Sequence, residues 1–106
     1  MTTWFITRHA GALQWAQTQQ LQVDHFCEHL DINQVQAGDT VMGSLPVHLA
    51  AEVCARGARY MHLSIDLPAH YRGKELRMGE LQQFNARLQP FLVSALTVPH
   101  PTHPRK

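Results

Sequence analysis

Apolar, β-rich runs alternate with helix-type segments along this chain, and the alternation constrains the fold more than any single motif. Residues 3–7 are β-branched and aromatic and end at a polar turn, which predicts a buried strand. Residues 12–20 carry apolar side chains among glutamines and predict a short helix. Residues 23–30 predict a second strand, and residues 31–37 form a polar connector. The chain therefore opens as strand, helix, strand.

The same alternation continues to the end of the apolar sequence. Residues 39–43 predict a third strand, and residues 46–54 predict a helix that begins at a proline, the residue type suited to a first helical turn. Residues 59–65 predict a fourth strand. Residues 76–88 have amphipathic helical spacing, which the following proline ends. Residues 91–98 predict a short terminal strand, with a second helical piece as the alternative. No helix-only or strand-only fold fits this order.

This order of elements favours an α/β sandwich with a mainly parallel sheet. Right-handed crossovers place its strands in the order 2-1-3-4. The chain of 106 residues has room for one domain, predicted over residues 1–98, and residues 99–106 predict a flexible tail rich in proline and histidine. Winding reverses between the first and third strands, and ligands of such sheets bind there, at the carboxyl ends of the strands.

Composition excludes several classes of function. Nine Lys and Arg residues against eight Asp and Glu give a net charge of +1, too low for a protein that coats long nucleic acids. No apolar run approaches the ~20 residues of a membrane span and no signal segment opens the chain, so we expect a cytoplasmic protein with no membrane partner. The two cysteines show no CxxC pairing, and we expect neither a metal nor another cofactor.

The histidines between Asp24 and Asp31 look like a metal cluster, but we interpret them otherwise. Side chains on one face of a strand lie ~6.6–6.8 Å apart, too far for one zinc ion without help from another element. No metal site is predicted from these residues.

The loop after the first strand is the strongest candidate site. It contains Thr7, Arg8, His9 and Gly11 and leads into a helix. A helix N-terminus favours phosphate, an arginine binds phosphate oxygens two at a time, and a histidine exchanges protons near neutral pH. We therefore predict Arg8 and His9 as catalytic residues and Thr7 and Gly11 as binding residues. The alternative is that Arg8 pairs with a surface carboxylate and His9 caps the turn.

The loop after the third strand lies beside it in the predicted sheet. Gly43 permits close approach of a ligand, Ser44 offers a hydroxyl group, and Leu45 continues the loop. We predict all three as substrate-binding residues, with an ordinary strand-to-helix turn as the alternative. No Walker loop and no GxGxxG motif is present.

Three further residues follow the fourth strand. Asp66 is predicted to orient Arg8 or His9, or else to cap the next segment. Arg72 and Lys74 flank a glycine in a basic loop, which is either a lid over a polyanion or a solvated loop. All three are counted here as candidate substrate-binding residues.

Several collinear motifs together resemble a small CRISPR-associated family found beside type III systems, the Csx-sixteen family. The likeness runs from about Trp4 to Leu88, and Ala10 departs from it because we expect proline there in many relatives. The motifs are Trp4–His9, Gly38–Val41, Gly43–Val47, Leu49–Ala50, Gly57–Tyr60, Asp66–Pro68 and Arg72–Leu76.

The resemblance implies a Rossmann-like, three-layer domain related to the cyclic-oligoadenylate (CARF) sensors. It implies a homodimeric ring nuclease that linearises cyclic tetra-adenylate without a metal, by attack of the ligand's 2′-OH, and so ends antiviral signalling. The implied site falls on Thr7, Arg8, His9 and the Gly43–Leu45 turn. One alternative is a protein that sequesters the ring without cutting it. Another is a small phosphoesterase similar to the histidine phosphatases, whose Arg-His-Gly motif has an extra alanine here.

Overall fold

The computed structural model describes residues 1–96, which form a five-stranded sheet with three α-helices. The strands are β1 (Thr3–Ile6), β2 (His25–Cys27), β3 (Thr40–Gly43), β4 (Arg59–Ser64) and β5 (Arg87–Phe91). The helices are α1 (Ala10–Thr18), α2 (Val47–Ala55) and α3 (Met78–Gln83), with short 3-10 turns at Ile32–Gln34 and Ala69–Tyr71. The predicted tail, residues 99–106, lies outside the described residues.

The sheet has the strand order β2-β1-β3-β4-β5. β1 lies between β2 and β3 and pairs with both in parallel, and β3 pairs in parallel with β4. β5 runs antiparallel to β4 and forms one edge. The α/β class is confirmed, whereas the predicted order 2-1-3-4 is incomplete because it omits β5, which makes the sheet mixed.

The end of the domain departs most from the sequence-based expectation. The helix predicted over residues 76–88 spans only Met78–Gln83, because Asn85 adopts a positive φ of 58° and the chain turns back into β5. The terminal strand predicted over residues 91–98 occurs earlier in the chain, at Arg87–Phe91, so the prediction holds at Phe91 and is wrong over residues 92–96. Pro90 is tolerated within it because an edge strand leaves some N–H positions unpaired.

Two apolar clusters, one on each face of the sheet, make the domain three layers thick. α1 and α3 cover one face around Phe5 and Leu81, both fully buried. α2 and the 3-10 turn at Ile32–Gln34 cover the other face around Val41 and Val53. Within residues 1–96 no helix has the length and apolar character needed to cross a membrane.

Asp39 is a buried carboxylate, 4% exposed, at the edge of the sheet opposite the strands' carboxyl ends. Its oxygens accept hydrogen bonds from the N–H groups of Gln36 (3.0 Å) and Thr2 (2.9 Å) and from the indole N–H of Trp4 (3.4 Å). These bonds, the one from Gln36 foremost, lower the pKa of Asp39 below its ordinary value. The carboxylate thereby ties the start of β1 to the turn before β3.

We expect Asp39→Asn to lower the free energy of unfolding by about 2–3 kcal/mol near neutral pH, because the amide leaves a buried N–H donor without an acceptor. Since the folded pKa lies below the unfolded one, this stabilisation is complete above the unfolded value of about 4 and is lost as the pH falls toward the folded value. Urea titrations at a pH of about 7 and of about 3 measure both effects.

Asp24→Asn is the matched control, since Asp24 accepts one N–H bond from Thr3 at 2.7 Å on the exposed surface. It should cost less than about 1 kcal/mol. If Asp39→Asn kept the wild-type dependence of stability on pH, the stabilising role of the Asp39 carboxylate would be contradicted.

Candidate functional site

A cavity of about 400 Å³ lies at the carboxyl ends of the parallel strands, above β1 and β3. Its lining comes from the segments that follow β1, β2, β3 and β4. The lining residues are Ile6, Thr7, Arg8, His9, Glu28, His29, Leu30, Ser44, Leu45, Pro46, Leu49, Leu63 and Ile65. The cavity therefore lies where the reversal of chain winding predicts a ligand site.

Two helices begin at this cavity with their N-termini uncapped. Neither His9, the N-cap of α1, nor Pro46, the N-cap of α2, makes a side-chain capping bond, and neither first turn contains an acidic residue. Within residues 1–96 the N–H groups of Ala10 in α1 and of Val47 and His48 in α2 have no hydrogen-bond acceptor. Unpaired N–H groups and the positive ends of two helix dipoles favour an anion here.

The loop after β1 is held by its own backbone and by two other elements. The Thr7 N–H donates to the Cys27 carbonyl oxygen at 2.9 Å, which fixes the loop to the end of β2. The His9 N–H donates to Thr7 Oγ1 at 3.1 Å. The Leu76 N–H donates to His9 Nδ1 at 3.3 Å. Thr7 and His9 are thus fixed in place from both sides.

Arg8, between them, is exposed and makes no ion pair within residues 1–96, where the one salt bridge joins Arg87 to Asp66. The alternative of a surface ion pair for Arg8 finds no partner in that part of the chain. Its guanidinium is available to a ligand in the cavity.

The turn after β3 uses its polar groups internally. The Ser44 hydroxyl donates to the Leu63 carbonyl oxygen at 3.0 Å, and the Leu45 N–H donates to the Tyr60 hydroxyl at 3.1 Å. That hydroxyl also lies 2.6 Å from His62 Nδ1 and 3.2 Å from the Gly43 carbonyl oxygen. Burial raises the pKa of Tyr60 and lowers that of His62. The turn therefore shapes the cavity and presents the α2 N-terminus.

Five of the predicted binding residues do not line the cavity: Gly11, Gly43, Asp66, Arg72 and Lys74. Gly11 is buried where α1 meets the segment before α3: a Cβ there would lie 2.5 Å from the Arg77 carbonyl carbon, so the glycine serves close packing. The Lys74 ammonium lies 5.4 Å from the centre of the Tyr71 ring.

Asp66 accepts hydrogen bonds from Asn85 and Arg87, each at 3.2 Å, instead of contacting Arg8 or His9. Those two bonds, the one from Asn85 foremost, lower its pKa. Asp66 therefore connects the end of β4 to the start of β5.

Two ionisable residues of the cavity lining were not predicted as site residues from the sequence, Glu28 and His29. The second strand was predicted to run through residue 30, but β2 ends at Cys27, so both residues lie beyond its carboxyl end. The predicted strand order places the carboxyl end of the second strand beside that of the first. This was the sequence signal that could have identified Glu28 and His29. Among the described residues, no group of three or more His, Cys, Asp or Glu side chains is arranged to hold a metal ion.

The site combines one cationic side chain, one carboxylate and the starts of two helices. Arg8 and two helix N-termini supply positive charge, and His9 and His29 supply ring nitrogens. Glu28 is the one carboxylate in the described lining. This arrangement is suited to a phosphate group with a neighbouring sugar or base.

Comparison with known proteins assigns the chain to a family. Residues 4–94 match the family model described as "Putative CRISPR-associated protein (Cas_VVA1548)". The matched range contains every residue that lines the cavity. No curated protein and no solved structure matches the chain. Because the match covers most of its length, the protein belongs to the Cas_VVA1548 family of CRISPR-associated proteins.

Proposed function

We propose that the protein is a ring nuclease that binds a cyclic oligoadenylate, cyclic tetra-adenylate in the first instance, and linearises it. The observation that carries the proposal is the meeting of two uncapped helix N-termini with Arg8 at one cavity. Membership of a CRISPR-associated family supports a role in antiviral defence. The likeness to the Csx-sixteen family supports a cyclic nucleotide of type III signalling, met in the cytoplasm, and a Rossmann-like domain related to the CARF sensors.

The size of the cavity favours a homodimer as the active form. Its volume of about 400 Å³ is near the lower end of the ~300–1,000 Å³ typical of ligand sites, enough for part of a ring of four nucleotides. A two-fold dimer would present the same loops twice to a ligand that itself has two-fold symmetry. A low net charge suffices because only the floor of the cavity needs to be cationic.

The proposed reaction uses a nucleophile that the ligand already contains. The 2′ oxygen forms a bond to the adjacent phosphorus and the bond from phosphorus to the 5′ oxygen breaks, which leaves a 2′,3′-cyclic phosphate and a 5′-OH. Holding the 2′-OH in line can contribute on the order of 7–11 kcal/mol at best. Arg8 and the N–H groups at the starts of α1 and α2 would stabilise the charge that develops on the phosphate oxygens.

The experiment is to incubate the purified protein with cyclic tetra-adenylate in EDTA and separate the products by chromatography. We expect linear products that end in a 2′,3′-cyclic phosphate. Tight binding that leaves the ring intact would show that the protein sequesters the ligand and is not a nuclease. Release of inorganic phosphate from simple phosphomonoesters would favour the phosphoesterase instead. A protein that neither binds nor cleaves cyclic tetra-adenylate would overturn the proposal.

A further inference from the structure

His9 makes one hydrogen bond that determines which nitrogen of its ring carries the proton. The donor is the backbone N–H of Leu76, at 3.3 Å from His9 Nδ1. A backbone N–H can only donate, so Nδ1 must present a lone pair, and a neutral ring then carries its proton on Nε2. A doubly protonated ring would place two N–H donors face to face.

The donor belongs to a tightly packed part of the molecule. Leu76 is 3% exposed and packs in the same apolar cluster as Ala12 of α1. The backbone of the next residue, Arg77, lies directly against Gly11. The Arg77 N–H, at the N-cap of α3, donates to Glu80 Oε1 at 2.9 Å. Two helices therefore hold the Leu76 N–H against the His9 ring.

The bond also decides which ring atom is left for a ligand. His9 lines the cavity, whereas Leu76 does not. With Nδ1 engaged by Leu76, Nε2–H is the group that the ring can offer to the cavity.

We infer that His9 acts as a neutral hydrogen-bond donor to the phosphate through Nε2–H and carries no proton to or from the ligand. This role rests on the proposed function, whereas the position of the ring proton does not. Loss of the Nε2 proton would leave an imidazolate, which is not accessible near neutral pH. A neutral histidine that donates to a reacting oxygen is an established catalytic device.

The step balances without a proton on His9 moving. The 2′-OH gives its proton to solvent as its oxygen bonds to phosphorus, and the departing 5′ oxygen takes a proton from solvent. Nε2–H donates to a non-bridging phosphate oxygen throughout and stabilises its charge. The same protonation state leaves no lone pair on Nε2 to attack phosphorus, which argues against a phosphohistidine intermediate and hence against the histidine-phosphatase alternative.

The first test needs no ligand. Long-range ¹H–¹⁵N spectra of protein labelled at histidine distinguish a protonated ring nitrogen from an unprotonated one, and the signal missing in His9→Gln identifies His9. We expect Nε2 protonated and Nδ1 unprotonated near neutral pH. A ring protonated on Nδ1, or one that averages between the two forms, would overturn the inference whatever the protein does to cyclic tetra-adenylate.

The second test compares variants in cleavage of cyclic tetra-adenylate. His9→Gln places an amide N–H near the position of Nε2 and should retain activity within about fivefold, whereas His9→Ala should lose about 10–100-fold, the worth of one hydrogen bond to a charged group. His70→Gln, at an exposed histidine outside the cavity, is the control. Equal losses for glutamine and alanine would overturn the role of His9 as a hydrogen-bond donor.

A wild-type protein that leaves the ring intact would remove the proposed function and the catalytic role of His9 with it. The spectroscopic result on the ring proton would be unaffected, so the two failures are distinguishable.

Discussion

Replacing Arg8 by glutamine should lower the rate of cyclic tetra-adenylate cleavage by about 10²–10³-fold, the usual cost of removing one preorganised donor from a developing oxyanion. Arg8 is the one Arg or Lys residue in the described lining of the cavity. Its side chain is exposed and forms no ion pair with any other residue in 1–96, so its charge is left for a ligand. For the same reason, the free energy of unfolding should change by less than about 0.5 kcal/mol.

Arg59→Gln is the matched control, because Arg59 is an exposed arginine at the amino end of β4, whereas the cavity lies at the carboxyl ends of the strands. It should cleave like the wild type. Arg8→Lys keeps the charge but loses the planar, two-pronged contact with phosphate, and we expect it to recover only part of the rate. Single-turnover rates with protein in excess measure the chemical step. Cleavage by Arg8→Gln at the rate of Arg59→Gln would contradict a role for Arg8.

The parallel strands could be predicted because each signal is local. β1 and β3 are short apolar runs that end at glycine-containing or polar turns, and the handedness of crossovers then restricts the strand order. β5 could not be predicted in the same way. Leu81 and Leu88 are spaced as on one face of a helix, and both pack into the same apolar cluster, Leu81 from α3 and Leu88 from β5. The turn between them depends on the positive φ of Asn85, which spacing does not reveal.

The candidate site likewise has one part that local sequence predicts and another part that depends on the folded chain. Thr7, Arg8 and His9 are consecutive, follow a strong strand signal and line the cavity as a group. His29 depends on where β2 ends, and a three-residue strand gives little signal of its end. The bond from Leu76 to His9 joins residues 67 positions apart, and only the folded chain brings them together.

Gly43→Ala should lower the free energy of unfolding by about 3 kcal/mol or more, a large share of the ~5–15 kcal/mol typical of a domain. Gly43 has φ of 138°, where a residue with a side chain pays about 1–3 kcal/mol. It also faces Ile6 across the β1–β3 pair, and a Cβ would overlap the carbonyl oxygen of Ile6. The two strands would have to separate at the end that carries Thr7 and Ser44.

Variants at two other glycines distinguish the cost of backbone strain at Gly43 from the cost of steric overlap with Ile6. Gly73 has φ of 81° but nothing within 4 Å of a Cβ, so Gly73→Ala should cost about 1–2 kcal/mol from backbone strain alone. Gly79 lies in α3 with open space around it, and Gly79→Ala should gain about 0.5–1 kcal/mol from helix propensity. Urea titrations at several protein concentrations measure all three and reveal any contribution from a dimer. If Gly43→Ala cost no more than Gly73→Ala, the close approach of β1 and β3 would not be what requires glycine at this position.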